Sequence, residues 1–207
     1  MLIRFIGDVH GKYRQYKNLI KNIPSIQVGD MGVGFIRKQG PNVGETYSNP
    51  PYYKMIKGNH RFIRGNHDNL TICKKHSQWI PDGTVENKMM FIGGANSIDR
   101  EYRTEGYDWW EDEQLSTIEL NNIHNIYFDN KPEIMVTHDC PEEVCYLLNK
   151  TYLESAPRTR QALQQMFETH KPKLWIFGHW HMSFEYNLFG TKFICLNELE
   201  FKDIEIA

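Results

Sequence analysis

The stretch Leu174-Trp175-Ile176-Phe177, followed by Gly178-His179-Trp180-His181, says most about how this chain folds. Four apolar residues before a glycine are typical of a short strand buried on both faces. Two histidines, two positions apart, then leave the end of that strand. Strand ends that meet at one edge of a sheet are where α/β proteins place their sites. Taken alone, the His-x-His pair is a weak indication of a metal site.

Four further segments repeat this pattern, in which a short apolar run is followed by Asp, His or Asn. In chain order they are Gly7-Asp8-Val9-His10-Gly11 after residues 2–6, Gly29-Asp30 after 26–28, Gly65-Asn66-His67-Asp68 after 62–64, and Thr137-His138-Asp139 after 134–136. Together the segments supply carboxylate, amide and imidazole donors. This mixture suits Mn, Fe, Zn or Ni.

The five segments, in this order, resemble the motif series of the calcineurin-like metallophosphoesterase superfamily, with a small bacterial or phage-type member as the nearest kind. That series runs Asp-x-His, Gly-Asp, Gly-Asn-His-Asp/Glu, His and Gly-His-x-His, and all of it is present between Asp8 and His181. The resemblance implies an α/β fold. Specifically, it implies a four-layer sandwich of two mixed β-sheets flanked by helices, with a binuclear metal site at the strand ends.

The resemblance also implies a role for each motif residue. Asp30 would bridge two divalent ions, since a carboxylate has an oxygen for each. The other implied ligands are Asp8, His10 and His181 for the first ion, and Asn66, His138 and His179 for the second. His67 would be the catalytic residue that faces the substrate and protonates the leaving oxygen. Mn is the expected metal, with Fe, Zn or Ni as alternatives.

Four other residues each have two interpretations. Asp68 and Asp139 directly follow site residues, so each could orient an imidazole by accepting its N–H or could be an ordinary turn carboxylate. Arg100 and Arg103 lie in a dense segment, residues 91–110, where they could bind phosphate or pair with neighbouring glutamates. The tryptophans of the same segment could stack on a base, although packing of the loop is the favoured interpretation.

Composition limits the class of protein. The chain has 207 residues, 40% of them hydrophobic, and a formal net charge of −2. These values predict one globular domain over residues 1–207, without the overall positive charge that would attract nucleic acid. No apolar run approaches the ~20 residues of a membrane helix, and Met1 does not begin a signal-peptide pattern. With four scattered cysteines in addition, we expect free thiols, a cytoplasmic location and no membrane partner.

The expected function is hydrolysis of phosphate mono- or diesters by a water that the two ions activate. The segment after Asp30 lacks the Asp-Arg pair of serine/threonine protein phosphatases, and Asp68 replaces their Glu. We therefore expect a small phosphorylated or nucleotide substrate, with nucleic acid not favoured. The alternatives are a protein phosphatase of the same superfamily, a non-catalytic scaffold that keeps the fold, and a structural metal protein. The sequence leaves the oligomeric state open.

Local patterns predict the elements between the motifs. Helical spacing of apolar residues predicts helices over residues 12–22, 110–122 and 157–170. A hairpin that turns at Asn87-Lys88 is expected over residues 84–93, and a long loop with room for one helical turn over residues 31–58. The alternating pattern of the last 25 or so residues favours antiparallel strands.

Overall fold

The computed structural model describes residues 1–37, 46–47, 49–149 and 156–206. In chain order the strands are β1 (Leu2–Ile6), β2 (Ser25–Gln27), β3 (Ile36–Arg37), β4 (Thr46–Tyr47), β5 (His60–Phe62), β6 (Val85–Glu86), β7 (Met89–Ile92), β8 (Ile134–Thr137), β9 (Leu174–Phe177), β10 (Phe184–Leu188), β11 (Thr191–Cys195) and β12 (Phe201–Glu205). The helices are α1 (Tyr13–Leu19), α2 (Tyr52–Gly58), α3 (Leu70–Cys73), α4 (Thr117–Asn130), α5 (Glu142–Asn149) and α6 (Arg158–Thr169), with 3₁₀ turns at Arg100–Tyr102 and Glu111–Glu113.

Two mixed sheets carry the fold. The first has the order β12-β1-β2-β5, and the second has the order β10-β11-β9-β8-β7-β6. Strands β1, β2 and β5 are parallel, as are β7, β8, β9 and β11, whereas β12, β10 and β6 are antiparallel additions at the edges. Because parallel strands end on the same side, each sheet collects the residues after its central strands at one edge.

Three buried clusters separate four layers of structure. Strand β7 illustrates how a period of two builds them, since Met89 and Phe91 enter the cluster between the sheets while Met90 and Ile92 face the helices α4 and α6. On the outer face of the first sheet, Tyr16 of α1 and Met55 of α2 pack with other apolar residues. Full burial of a side chain such as Phe91 stabilises the fold by roughly 1.5–3 kcal/mol. The expected four-layer sandwich of two mixed sheets flanked by helices is confirmed.

The expected hairpin at Asn87-Lys88 and the expected antiparallel strands of the tail are both present. Glu86 pairs with Met89 around Asn87 and Lys88, whose φ angles of 48° and 62° are left-handed. Two such residues make the tight turn that matches the twist of a hairpin. In the tail, β10 and β11 form a second hairpin that turns at Gly190, and β12 crosses to pair with β1 in the other sheet.

Several predicted element bounds are wrong. The first helix ends at Leu19, and the helix expected over residues 110–122 is α4, which begins only at Thr117. Residues 31–58 are not simply a loop, because α2 and the β3–β4 ribbon lie within them; residues 38–45 and 48 of that range lie outside the described residues. Helix α5 was not predicted. None of the helices in the described ranges has the length and apolar character needed to span a membrane.

Candidate metal centre

The seven side chains predicted as ligands lie together where parallel strands of both sheets end. In chain order they follow β1 (Asp8 and His10), β2 (Asp30), β5 (Asn66), β8 (His138) and β9 (His179 and His181). Backbone hydrogen bonds hold neighbouring segments in register. The N–H of Val9 donates to the carbonyl of Asp30 at 2.9 Å, and that of Gly178 donates to the carbonyl of His138 at 3.1 Å. The shared edge follows from the parallel strand order of the two sheets.

One group of four side chains surrounds a common point. Asp8, His10, Asp30 and His181 each offer one ligand atom, and these atoms all lie within 4.8 Å of one another. The Nε2 atom of His181 is 3.0 Å from Asp8 Oδ2, and His10 Nε2 is 3.7 Å from Asp30 Oδ2. These residues are the ones expected for the first ion together with its bridge.

A second group lies on the other side of Asp30. His138 Nδ1 donates to the carbonyl of Val28 at 2.9 Å, and its Nε2 faces Asn66 Oδ1 at 3.0 Å and Asp30 Oδ1 at 3.3 Å. The His179 ring is adjacent, with its centroid 5.1 Å from that of His138. Asp30 thus directs Oδ1 to this group and Oδ2 to His10, which is the arrangement that a bridging carboxylate requires.

The chemistry of these side chains fits divalent cations. Asp8 and Asp30 are buried, with 0% and 1% of their surface exposed. In the described part of the chain, the ion-pair partners of these two carboxylates are all imidazoles. Burying two carboxylates close together is costly unless positive charge balances them, either as protonated imidazole or as bound metal ions.

The pKa values reflect this dense charge. Burial would raise the pKa of Asp8, but hydrogen bonds from His10 and His181 lower it to about 2. For Asp30, burial is likewise outweighed by the nearby His138 and His67, and the pKa lies well below its usual range. Both carboxylates are therefore ionised at neutral pH and available to cations.

The two buried histidines of the second group differ in protonation. Burial disfavours the charged form of both, but the close carboxylate of Asp30 raises the pKa of His138 to about 10. His179 is farther from a carboxylate, and burial lowers its pKa to about 4. His179 is thus neutral at neutral pH, whereas a cation that binds His138 would have to displace its proton, which would link binding to proton release.

Motif glycines are needed because ligands pack directly against them. A Cβ atom at Gly65 would lie 2.0 Å from Asp30 Oδ1, and one at Gly178 would lie 2.2 Å from Asp8 Oδ1. Neither distance is compatible with a side chain. The glycine of one motif therefore makes room for the carboxylate of another, which explains why Gly accompanies the ligands in the sequence.

Four of the candidate ligands have a left-handed backbone. The φ angles are 47° at His10, 57° at Asp30, 68° at His179 and 48° at His181. For residues other than glycine this conformation costs roughly 1–3 kcal/mol each and persists where the surrounding structure imposes it. Hydrogen bonds impose it here, since the N–H of His10 donates to the Asp30 carbonyl at 2.8 Å and that of His179 to Asp8 Oδ1 at 3.1 Å.

The two carboxylates that follow site residues act differently. Asp68 accepts four backbone N–H groups, from Met31, Gly32, Val33 and Gly65, at 2.7–3.1 Å. It is thus a turn carboxylate that clamps the segment after Asp30. Asp139 accepts the indole N–H of Trp180 at 3.1 Å and pairs with Arg160 at 3.2 Å. Through Trp180 it holds the segment between the two histidines of the last motif.

Two adjoining cavities of about 230 and 340 Å³ open beside the metal cluster. His67, Arg103 and His181 line both of them. The Nε2 atom of His67 is 3.9 Å from Asp30 Oδ2, at the boundary between the metal cluster and the open space. His67 is therefore adjacent to the cluster and accessible from the cavities, as a residue that contacts substrate must be.

The two predicted phosphate-binding arginines separate in the structure. Arg103 forms a two-pronged ion pair with Asp99 at 2.7 and 2.6 Å, and its Nη2 lies 3.4 Å from His67 Nε2. Arg100 instead lies over the ring of Trp109 at 4.1 Å and does not line either cavity. Trp109 is buried in the loop, as the packing interpretation expects. The structure brings Arg103 to the site and leaves Arg100 outside it.

Some residues around the site were not found from the sequence. Asp99 anchors Arg103, and Phe35 and Glu198 line one cavity. Ser97 lines the other cavity and contacts Asn66. Its position shortly after β7 is a signal that could have identified it, since the predicted ligands also follow parallel strands.

The match to a protein family agrees with this geometry. Residues 1–183 match a family model described as calcineurin-like phosphoesterase. Among solved structures, GAP50, the anchor in the inner membrane complex of Plasmodium, is similar over 95% of this chain and 71% of its own, with 13% identity and a TM-score of 0.51, which is a likeness of fold. Phosphopantetheinyl hydrolase (PptH) from Mycobacterium tuberculosis covers 98% of this chain and 95% of its own, with 9% identity and a TM-score of 0.46. No curated protein matches the chain significantly.

Proposed function

Because the chain belongs to the calcineurin-like phosphoesterase family and is a phosphoester hydrolase, we propose that it uses two divalent ions, with Mn as the first choice, bridged by Asp30. Asp8, His10 and His181 would complete the first site, and Asn66, His138 and His179 the second. The observation that carries the proposal is the position of Asp30, which directs one oxygen to each group of side chains. When bound, the ions would neutralise phosphate charge, acidify a water and orient the ester.

The side chains of this protein would contribute positioning and proton transfer. Asp30 would fix the separation of the two ligand groups, and its Oδ1 already accepts the backbone N–H of His67 at 2.8 Å. That contact ties the proposed catalytic histidine to the bridge. His67 would then donate a proton to the leaving oxygen of an ester held in the cavities, a contribution that typically amounts to 10²–10⁴-fold in rate.

The substrate that we propose is a small phosphorylated molecule or a nucleotide. The guanidinium of Arg103 faces the cavity beside His67, where it can bind a phosphoryl oxygen with a charge-assisted hydrogen bond. The ring of Phe35 and that of Trp180 line the two cavities and offer apolar surface to an attached group. Cavities of about 230 and 340 Å³ suit a small molecule better than a folded phosphoprotein surface.

Metal removal tests the proposed function directly. Exhaustive chelation is expected to abolish hydrolysis of p-nitrophenyl phosphate, and added Mn(II) is expected to restore it, because the buried carboxylates need cations. The same assay should compare bis-p-nitrophenyl phosphate, a nucleotide panel and phosphopeptides. Full activity in a metal-free preparation would end the two-ion proposal, and faster hydrolysis of phosphopeptides than of any nucleotide would overturn the proposed substrate class.

Arg103 gives a separate prediction about substrate binding. Arg103→Ala is expected to raise KM about tenfold to a hundredfold for a phosphate monoester, the equivalent of losing a charge-assisted contact worth roughly 1.5–3 kcal/mol. Metal content should not change, since Arg103 is absent from both ligand groups. Steady-state kinetics together with metal analysis on one preparation provide the measurement.

Two variants from the same loop serve as controls for Arg103. Arg100→Ala removes an arginine that stacks on Trp109 outside the cavities, and Asp99→Asn weakens the ion pair while leaving the guanidinium in place. Neither should raise KM as much as Arg103→Ala does. If all three variants behave alike, with effects below ~1 kcal/mol and confined to stability, Arg103 is only a surface ion-pair partner.

A further inference from the structure

We propose that Glu113, acting through Ser97, fixes the side-chain amide of Asn66 with its oxygen directed at the second metal site. The inference rests on the proposed function, because it concerns a ligand of the second ion. Glu113 and Ser97 are positioning residues in this scheme. They act on the ligand Asn66, and neither is required to contact the ion.

A continuous line of buried hydrogen bonds, the relay, connects the side chains of Glu113, Ser97 and Asn66. Asn66 Nδ2 donates to Ser97 Oγ at 3.0 Å, and Ser97 Oγ donates to Glu113 Oε2 at 2.5 Å. The backbone N–H of Ser97 is also 3.2 Å from both carboxylate oxygens of Glu113. The exposed fractions are 2% for Asn66, 5% for Ser97 and 3% for Glu113, so little water competes for these contacts.

The direction of these hydrogen bonds determines the orientation of the amide. A serine hydroxyl has a single proton, and here that proton is committed to the carboxylate of Glu113. Ser97 Oγ can therefore only accept from Asn66, which requires the NH₂ group on that side. Asn66 Oδ1 must then face the opposite way, where it lies 3.0 Å from His138 Nε2. A reversed amide would present N–H groups to a cation, and these cannot bind it.

Arg64 joins the relay to the segment that carries the ligand. Its fully buried guanidinium donates from Nη1 to the carbonyl of Asp112 at 2.9 Å and to that of Glu113 at 3.1 Å. Arg64 stands two residues before Asn66, so the two segments are bound to each other at both ends of the relay. A partner outside the ligand set that orients a ligand in this way is typically worth 10–100-fold in metal affinity.

The near-isosteric substitution Glu113→Gln tests the relay. A glutamine can accept from the Ser97 N–H and donate its own N–H to Ser97 Oγ, which frees the serine proton to donate to Asn66 Oδ1. The amide is then stabilised in the reversed orientation. In calorimetric titrations of the chelated 207-residue chain with Mn(II), we expect the first ion to bind normally and the second to bind about 10–100-fold more weakly.

Three companion variants make the result specific. Ser97→Ala removes the relay and should also weaken the second ion, whereas Ser97→Thr keeps a hydroxyl and should restore binding. Glu111→Gln alters an exposed carboxylate of the same 3₁₀ turn and should change nothing. Paramagnetic resonance of the Mn(II)-loaded proteins adds a spectroscopic signature, since the coupled two-ion signal should be lost only in Glu113→Gln and Ser97→Ala.

The outcomes separate this inference from the proposed function. If the wild-type chain binds two Mn(II) ions and Glu113→Gln binds both as tightly, the relay is overturned while the two-ion proposal stands. If the wild-type chain binds fewer than two ions, the proposed function is overturned together with the relay. Should Glu113→Gln fail to fold, the serine pair decides, because equal losses in Ser97→Ala and Ser97→Thr contradict the inference and rescue by threonine supports it.

Discussion

Asp30→Asn is expected to lose both metal ions and to lower kcat by more than about 100-fold. This loss is greater than that typically caused by removing a residue that only hydrogen-bonds to a metal ligand. The substitution changes little else. Asparagine has the same shape, tolerates the left-handed φ of 57° found at this position, and can still accept the backbone N–H of His67. The effect should therefore report on the loss of negative charge and of the second oxygen ligand between the two groups.

Metal analysis of purified Asp30→Asn measures this prediction, with His181→Ala and Asp129→Asn beside it. His181 belongs to one group only, so His181→Ala should keep part of the metal content and more of the turnover. Asp129 is exposed on α4 and should be neutral. Two ions per chain with near-normal turnover in Asp30→Asn would show that the bridge is assigned to the wrong residue.

His67→Ala is expected to keep both ions and to lose roughly 10²-fold or more in kcat. His67 lines the cavities and lies 3.9 Å from Asp30, yet it is not among the side chains proposed as ligands. If it protonates the leaving oxygen, the loss should be small for p-nitrophenyl phosphate, whose leaving group needs little protonation, and large for alkyl phosphates. Rates for both kinds of ester on one preparation provide the measurement.

His124→Ala is the matched control for His67→Ala, because His124 lies on α4 and contacts Thr169 at 3.4 Å. It should leave the rates for both kinds of ester unchanged. A collapse of metal content in His67→Ala would make His67 a ligand. An equal rate loss for good and poor leaving groups would point to charge stabilisation instead of proton donation.

The parts of the fold that could be predicted are those with local signals. Apolar runs that end in Asp, His or Asn mark β1, β2, β8 and β9, while the run at 62–64 overlaps β5 only at Phe62. The parallel order of these strands explains why Asp8, Asp30 and His138 meet. The turn at Asn87-Lys88 was also readable, since these residues supply two left-handed positions. The number of layers came from the family resemblance, because periodicity within single strands carries no information about how sheets stack.

The missed features depend on tertiary contacts or on signals that a stronger pattern obscured. Helix α4 begins at Thr117 because Ser116 and Glu119 form a capping box. The predicted start, at residue 110, lies too early and falls among the aromatic residues that precede this box. Helix α2 buries only Met55 along its length, too little for an apolar period. The relay from Glu113 to Asn66 joins residues far apart in sequence, and no local pattern pairs them.

The left-handed backbone of the candidate ligands has a consequence for protein engineering. Glycine adopts that conformation without steric cost, so heat selection of metal-free protein would enrich glycine at positions 10, 179 and 181. Such a substitution relieves backbone strain but removes a candidate ligand. Directed evolution of this enzyme should therefore be carried out with divalent ions present and with turnover as the screen, because heat resistance and hydrolysis favour different residues at these positions.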